Sequence, residues 1–318
     1  MDAPALSNVE ISVVIPVYRE ESNILPFLQR LIPVIGRISE SAEIVFVLDP
    51  SPDKTEHVIM NASTTNPSIK LLKMSRRFGQ PAATMAGLAY SSGQRVVVID
   101  VDLQDPPELI LELNNKMNEG FDVVYATRRT REGETFVKKI LAAFGYKVIN
   151  SLSDVQIPKN TGDFRMMSRR VVNEICGLNE KHGFLRGLVA FVGFNQTGIF
   201  YDRDSRHTGK GNYNRYLGSL RIGLNGLVGF SAKPLNIMSL SGGVIAGFSF
   251  ILGGWYAAQK IFGVSLTPGL STTVILISFF AGIQLLSLGL VGEYISRIYD
   301  EVKNRPMYIV EKRVGFDE

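Results

Sequence analysis

The segment VVVIDVDLQDPPEL, residues 96–109, is a hydrophobic run that ends in a cluster of carboxylates. Its acidic residues are Asp100, Asp102, Asp105 and Glu108. Asp102 and Gln104 continue the two-residue alternation that begins at Asp100, and oxygen ligands at this spacing suit Mg²⁺ or Mn²⁺, which keep coordination positions open for phosphate oxygens. A plain helix start is the alternative, because Asp105 and Glu108 flank two prolines. We predict that both hold: Asp102 and Gln104 bind the metal, and the two flanking carboxylates mainly begin the helix.

The elements that must position these residues alternate between strand-like and helix-like patterns through residues 11–127. The strand-like runs span residues 11–17, 43–49, 69–74, 95–100 and 122–127. Continuous apolar strands separated by helical patterns are typical of βαβ units with helices on both faces of the sheet. We therefore predict an α/β domain built on a mainly parallel, Rossmann-like sheet, with ligands bound beyond the carboxyl ends of its strands.

Polar side chains follow every one of these predicted strands. They include Tyr18, Arg19 and Glu20, then Asp49, Ser51 and Asp53, then Ser75, Arg76, Arg77 and Gln80, then the acidic residues above, and finally Arg128, Arg129 and Arg131. A solvated rim would also be polar, but the joint placement favours one shared site. The arginines after the fifth run are typical of phosphate binding, with an ordinary solvated loop as the alternative.

Two long stretches near the C-terminus carry no charge, at residues 234–259 and 261–292. A membrane span needs roughly 20 apolar residues, so we predict transmembrane helices at 234–259 and 268–292, joined as a hairpin. A buried helical hairpin in a soluble core is the alternative. Lys and Arg are concentrated before the first stretch and after the second, which predicts that both termini are cytoplasmic in a multi-pass protein of the plasma or inner membrane.

The remaining chain divides around this hairpin. We predict a cytosolic α/β domain at 1–212, an amphipathic juxtamembrane helix at 213–233 and a cytoplasmic tail at 293–318. Residues 135–150 also have a basic amphipathic pattern, which is typical of helices that lie in the membrane interface. Packing of either amphipathic helix on the domain core is the alternative.

Composition excludes several classes of protein. A formal net charge of +4 does not indicate nucleic acid binding. One cysteine excludes a disulfide framework and fits a reducing compartment. The first ten residues, MDAPALSNVE, have no apolar core, so no secretory signal is expected there.

Several motifs together make the sequence recognisable: VVIPVYREESNI, VLDPSPDKT, FGQPAATMAGL, IDVDLQDPPE and TGDFRMMSRR. The chain resembles the family 2 glycosyltransferases of GT-A fold, and more narrowly their dolichyl-phosphate mannosyltransferase-like branch. Its C-terminal hairpin resembles that of the bacterial bactoprenol glucosyltransferases of the GtrB type. The resemblance covers nearly the whole chain, and the block DVDLQDPPE is its most specific part.

The resemblance implies roles for individual residues. Donor binding is implied for Pro16, Tyr18, Glu20, Asp49 and Asp100. Catalytic roles are implied for Asp100, Asp102 and Asp163, with Asp102 and Gln104 on the metal. Binding of the acceptor phosphate is implied for Arg128, Arg131 and Arg206.

Two departures from the family pattern bear on these roles. The chain has Leu48-Asp49 where members often have paired aspartates. In the segment RHTGKGNY, Gly211 and Asn212 replace the Ser and Lys of the pattern R-x-x-G-x-S-K-Y, and Lys210 lies two positions before the missing Lys. We group Lys210 with the acceptor-phosphate residues, and whether it replaces the family lysine stays open.

The resemblance implies a membrane-anchored, inverting glycosyltransferase that uses Mg²⁺ or Mn²⁺. It would move glucose from UDP-glucose onto undecaprenyl phosphate at the cytoplasmic membrane face. The alternatives are the same reaction with GDP-mannose or an amino-arabinose nucleotide, and a non-catalytic scaffold or flippase subunit. Partners are then the nucleotide-sugar, the lipid phosphate and the membrane, with no nucleic acid; a homo-oligomer is left open.

Overall fold

A computed structural model of the protein describes residues 9–129, 158, 161–178, 180, 185–203, 231–263 and 269–316. Within these residues eight strands form one sheet in the order β7-β5-β6-β4-β1-β2-β3-β8. The strands are β1 (Ile11–Val17), β2 (Ala42–Leu48), β3 (Ile69–Met74), β4 (Arg95–Val98), β5 (Val123–Arg128), β6 (Thr161–Ser168), β7 (Gln196–Tyr201) and β8 (Val310–Val314). The five predicted strands correspond to β1 to β5.

Helices cover both faces of this sheet. The described helices are α1 (Ile24–Gly36), α2 (Thr55–Thr65), α3 (Gln80–Tyr90), α4 (Leu109–Asn118), α5 (Arg169–Gly177), α6 (Leu185–Val192), α7 (Lys233–Ile261) and α8 (Leu270–Val302). On one face Phe27 of α1 and Leu113 of α4 belong to a buried cluster, and on the other face Leu88 of α3 and Val172 of α5 belong to a second. Apolar residues at helical spacing produce these buried stripes.

The sheet is mixed but mainly parallel. Strand β1 pairs in parallel with β2 and β4, and β2 pairs in parallel with β3. Strand β6 lies antiparallel between β4 and β5, and β5 pairs in parallel with β7. This confirms the predicted GT-A-like α/β domain, and it brings the carboxyl ends of β1, β2, β4 and β5 to one edge of the sheet.

The C-terminal tail returns to the sheet. After α8 ends at Val302, β8 pairs antiparallel with β3, and the Ser75 N–H donates to the Ile309 carbonyl (2.9 Å). The predicted domain boundary at 212 therefore leaves out one strand, which lies in the segment predicted as a tail at 293–318. Pairing with β3 covers an edge that would otherwise expose unpaired backbone groups.

Helices α7 and α8 are long and apolar enough to cross a membrane. The spans that meet this criterion are Lys233–Trp255 and Phe279–Val302, and no residue in their most apolar windows is buried inside the structure. This exposure contradicts the alternative of a buried hairpin in a soluble core. Helix α7 contains the predicted segment 234–259, and α8 overlaps the predicted segment 268–292 from Leu270 onward. The boundaries of the membrane spans stay a prediction. Residues 213–230 of the predicted juxtamembrane helix, and residues 135–150, lie outside the described residues.

Candidate active site

The chain turns sharply where β4 ends, and we call residues 100–105 the acidic strand end. Three buried apolar side chains alternate with the polar ones and hold this segment on the core: Ile99, Val101 and Leu103. Leu103 has a φ of 60°, a left-handed conformation that costs a non-glycine residue roughly 1–2 kcal/mol. The Gln104 N–H donates to Asp102 Oδ1 (3.1 Å), which fixes the turn. The turn therefore brings the backbone of Gln104 against the Asp102 carboxylate, and the binding of a metal by these two side chains stays a prediction.

Asp100 lies in a strongly negative environment. Gln80 Nε2, from the start of α3, donates to Asp100 Oδ1 (2.9 Å). Burial, and then the charges of Asp105, Asp163 and Asp102, raise the pKa of Asp100 to about 7. An excess of buried negative charge favours a bound cation, because the cation removes the repulsion between the carboxylates.

Asp163 comes from β6, the strand next to β4 in the sheet. Its Oδ1 accepts a hydrogen bond from Arg186 Nε on α6 (2.9 Å). Burial alone would raise the pKa of Asp163, but the charges of Arg186, Arg165 and Arg128 outweigh that effect and hold the pKa below its usual value. The structure thus brings Asp163 close to the acidic strand end and keeps it ionised.

Asp105 and Glu108 do not begin the helix with their side chains. Helix α4 begins at Leu109, and its N-cap residue Glu108 makes no side-chain capping bond. Glu108 instead pairs with Arg30 of α1, at 2.9 and 2.7 Å. Asp105, which is 2 % exposed, accepts a hydrogen bond from the Tyr201 hydroxyl and pairs with arginines at the ends of β5 and β7. The helix therefore starts where predicted, but the two carboxylates contact charged and polar partners that lie far away in the sequence.

The predicted donor-binding residues lie at the ends of β1 and β2. Pro16 is within β1, and Tyr18 follows it with the guanidinium of Arg77 4.0 Å from its ring centre. Glu20 accepts a hydrogen bond from Asn23 Nδ2 (2.6 Å). These three residues share the edge of the sheet that carries Asp100, and their contact with a donor stays a prediction.

Asp49 has a role that the sequence did not reveal. Its two carboxylate oxygens accept the backbone N–H groups of Phe78 (3.0 Å) and Gly79 (2.8 Å). These residues lead directly into Gln80, which contacts Asp100. Asp49 therefore fixes the loop that carries Gln80, and its predicted contact with the donor stays a prediction.

Of the residues predicted to bind the acceptor phosphate, the structure describes Arg128. Its Nε donates to the Tyr201 hydroxyl oxygen (3.3 Å), and its Nη2 lies 3.8 Å from Asp105 Oδ1. A side chain at Gly162 would meet Arg128 Nη2 at 3.0 Å, so glycine leaves room for the guanidinium. The other candidates lie outside the described residues: Arg131, Arg206 and Lys210.

Sequence reasoning missed several charged and polar residues that surround the site. They are Arg165, Arg186, Arg203 and the phenol of Tyr201. Arg165 is 2 % exposed, and burial lowers its pKa to about 10. Strand β6 was not predicted because the buried Arg165 interrupts the apolar pattern of a buried strand. A prediction of β7 would have shown that Arg203 follows a strand end, where ligands are expected.

The oxygen donors at the acidic strand end fit a hard divalent cation. Among the described residues no group of three or more His, Cys, Asp or Glu side chains could hold a metal by itself. Asp102 and Gln104 would supply two oxygen ligands. Asp100 and its neighbouring carboxylates add negative charge beside them, which would attract the cation. This suits Mg²⁺ or Mn²⁺, which bind through few protein ligands together with water and phosphate oxygens.

Comparison with known proteins matches residues 12–176 to the model of glycosyl transferase family 2. The uncharacterized glycosyltransferase YkcC of Bacillus subtilis (strain 168) is 44% identical over 310 residues, 98% of this chain and 96% of the relative. The SfII prophage-derived bactoprenol glucosyl transferase of Shigella flexneri is 37% identical over 304 residues, 96% of this chain and 98% of the relative. The matched residues contain the acidic strand end and Asp163.

A solved structure is also similar. It is glucosyl-3-phosphoglycerate synthase from Mycobacterium tuberculosis in complex with Mn²⁺, UDP-glucose and phosphoglyceric acid. It is 21% identical and covers 70% of this chain and 78% of its own, with a TM-score of 0.45.

Proposed function

This chain belongs to glycosyl transferase family 2, and from that premise we propose that it transfers glucose from UDP-glucose to a polyprenyl phosphate, with undecaprenyl phosphate as the acceptor. One observation carries the proposal: 37% identity to a bactoprenol glucosyl transferase along 96% of this chain and 98% of the relative. The similarity therefore extends through the two apolar helices as well as the α/β domain.

The lipid acceptor accounts for the apolar helices. The phosphate of a polyprenyl lipid lies at the level of the headgroups, so the enzyme must hold its site against the membrane. Strands before α7 and β8 after α8 belong to one sheet, so both flanks of the helix pair lie on the same side of a membrane. This supports a hairpin of two spans, and the basic flanks support a cytoplasmic location of both termini in the plasma or inner membrane.

Metal dependence is part of the proposal. Asp102 and Gln104 would hold Mg²⁺ or Mn²⁺ beside the donor diphosphate. Such an ion would neutralise charge on the leaving nucleoside diphosphate. Asp100, with its raised pKa, lies next to these ligands and would be ionised most fully when a cation is present.

The chain's own residues would orient the two substrates. Pro16, Tyr18, Glu20 and Asp49 would bind the nucleotide, and Asp163 would lie against the transferred sugar. Arg128, Arg131, Arg206 and Lys210 would bind the acceptor phosphate. A phosphate oxygen attacks the anomeric carbon while the bond to the nucleoside diphosphate breaks, which inverts that carbon. The acceptor is already an anion, so no residue has to remove a proton.

The test is a transfer assay on detergent-purified protein. Labelled UDP-glucose, undecaprenyl phosphate and Mg²⁺ or Mn²⁺ should yield label that extracts into organic solvent, and a chelator should abolish it. NMR of the product should show inverted anomeric configuration.

Other outcomes identify the alternatives. Transfer only from GDP-mannose or an amino-arabinose nucleotide would replace glucose with another sugar. No transfer from any donor would contradict the enzyme and favour a scaffold or flippase subunit. A homo-oligomer stays a prediction, which light scattering of the purified protein tests.

A further inference from the structure

Asp105 connects the ends of three strands. Its Oδ1 accepts the hydrogen bond of the Tyr201 hydroxyl, lies 3.3 Å from Arg203 Nε and lies 3.8 Å from Arg128 Nη2. Asp105 follows β4, Arg128 ends β5, and Tyr201 ends β7. We call Asp105, Arg128, Tyr201 and Arg203 the Asp105 cluster.

The negative charge of Asp105 repels nearby anions, and the partners of Asp105 must offset this repulsion. Asp105 is almost fully buried, and its charge is among the causes that raise the pKa of Asp100. A third carboxylate so close to the diphosphate site would repel both anionic substrates if it stood alone. Two arginines contact the same carboxylate, so the cluster carries more positive than negative charge and no longer repels an anion.

Tyr201 makes the arrangement specific. Burial and the nearby Asp105 raise the pKa of Tyr201, so the phenol keeps its proton and donates it to Asp105. The same oxygen accepts a hydrogen bond from Arg128 Nε (3.3 Å). Arg128 is therefore held at two nitrogens, by Tyr201 and by Asp105, which limits the directions in which its guanidinium can point.

We propose that Asp105 is a positioning residue that holds Arg128 and Arg203 as a pair toward the acceptor phosphate, and that Arg203 is a phosphate-binding residue. The inference rests on the proposed function and deepens it. Each guanidinium carries five N–H donors in a fixed plane. The Asp105 carboxylate contacts one nitrogen of each guanidinium and so restricts the orientation of both groups. The remaining donors of the two groups would bind the phosphate oxygens.

Steady-state kinetics of Asp105→Asn test the proposal against a matched control. The variant keeps the size of the side chain but loses the charge, so we expect the KM for undecaprenyl phosphate to rise about tenfold. The KM for UDP-glucose should change by less than about threefold, because the nucleotide end of the site keeps its contacts. Glu108→Gln removes one charge from the same segment, and it should leave both constants unchanged because Glu108 pairs with Arg30 on the surface.

A double-mutant cycle separates positioning from general stability. Arg203→Gln should raise the acceptor KM in the unaltered background and raise it much less when combined with Asp105→Asn, since the two residues act as a unit. Tyr201→Phe, which removes only the shared hydroxyl, should give a smaller rise in the same constant. These variants also keep the proposal testable if Asp105→Asn does not fold.

The results that would overturn the inference differ from those that would overturn the proposed function. Additive effects of the two substitutions, or equal changes in both KM values, would reduce the Asp105 cluster to a structural contact. An unchanged acceptor KM in Asp105→Asn would do the same. Absence of transfer by the unaltered protein from every donor would instead contradict the proposed function.

Discussion

Two carboxylates lie toward opposite ends of the central sheet, and their surroundings differ. Glu43, near the start of β2, is 1 % exposed. It accepts hydrogen bonds from Lys70 Nζ, Ser12 Oγ and the Ser92 N–H, each at 2.6 Å. Burial alone would raise the pKa of Glu43, but these donors outweigh it and the pKa is lowered.

Asp100, just beyond the end of β4, has the opposite balance. Gln80 is the donor that contacts it, while Asp105, Asp163 and Asp102 surround it with negative charge. Burial and these charges raise its pKa to about 7. A carboxylate whose charge is balanced by hydrogen-bond donors and cations of the protein has a structural role. A group of carboxylates that repel one another instead favours the binding of a cationic ligand.

The largest effect that would sharpen this comparison is expected for Asp102→Asn. Loss of one metal-binding carboxylate should lower turnover about a thousandfold, because charge stabilisation at the leaving group is lost. Mg²⁺ or Mn²⁺ should also no longer raise the melting temperature of the protein. Transfer assays and thermal melts measure the two effects, and near-normal turnover would contradict the metal assignment.

Glu43→Gln should mainly change stability. Breaking a buried ion pair leaves Lys70 without its partner, and we expect a loss of about 3 kcal/mol in the free energy of unfolding. Turnover per folded molecule should stay the same, since the residue lies at the far end of the sheet. Denaturant unfolding followed by assays below the melting temperature tests both statements. A loss of activity without a loss of stability would contradict the structural role of Glu43 and its contrast with the ligand site around Asp100.

The pH dependence of stability should differ at the two ends. Burial and the neighbouring carboxylates raise the pKa of Asp100 from its ordinary value of 3.8 to about 7 in the native state. Between these values the native state binds the extra proton, so without divalent cations stability should fall as pH rises from about 4 to about 7. Asp100→Asn should reduce this fall. Melting temperatures across this range, measured in chelator, test it, and an unchanged slope in the variant would assign the dependence to other groups.

The smallest effect is expected for Glu108→Gln. Glu108 belongs to the same acidic segment but forms an exposed pair with Arg30. Exposed pairs contribute about 0–1 kcal/mol, so stability should change by no more than that. Denaturant unfolding measures it. A loss of several kcal/mol would mean that the acidic segment is sensitive to charge everywhere, and the contrast with Glu43 would fail.

Local patterns in the sequence determined much of the fold. Apolar runs separated by helical periodicity predicted β1 to β5, and the polar residues after them predicted a site at one edge of the sheet. Long charge-free stretches predicted α7 and the apolar character of α8. These features were predictable because they depend on residues that are neighbours in the chain.

Tertiary structure decided the remaining strands. Strand β6 contains the buried Arg165, and β8, with the sequence VEKRV, is mostly charged. Neither has the apolar pattern of a buried strand. Each forms because a distant strand supplies its hydrogen-bonding partner, as β3 does for β8.

The clearest division between sequence and structure is at Asp105. The residues DPPE by themselves indicate a helix start, and α4 does begin at Leu109, just after them. The hydroxyl that donates to the Asp105 carboxylate belongs to Tyr201, 96 residues later in the chain. The sequence determined that a carboxylate stands at this strand end. Its role depends on charges that only the folded sheet brings within a few ångströms, where buried electrostatic interactions are strong.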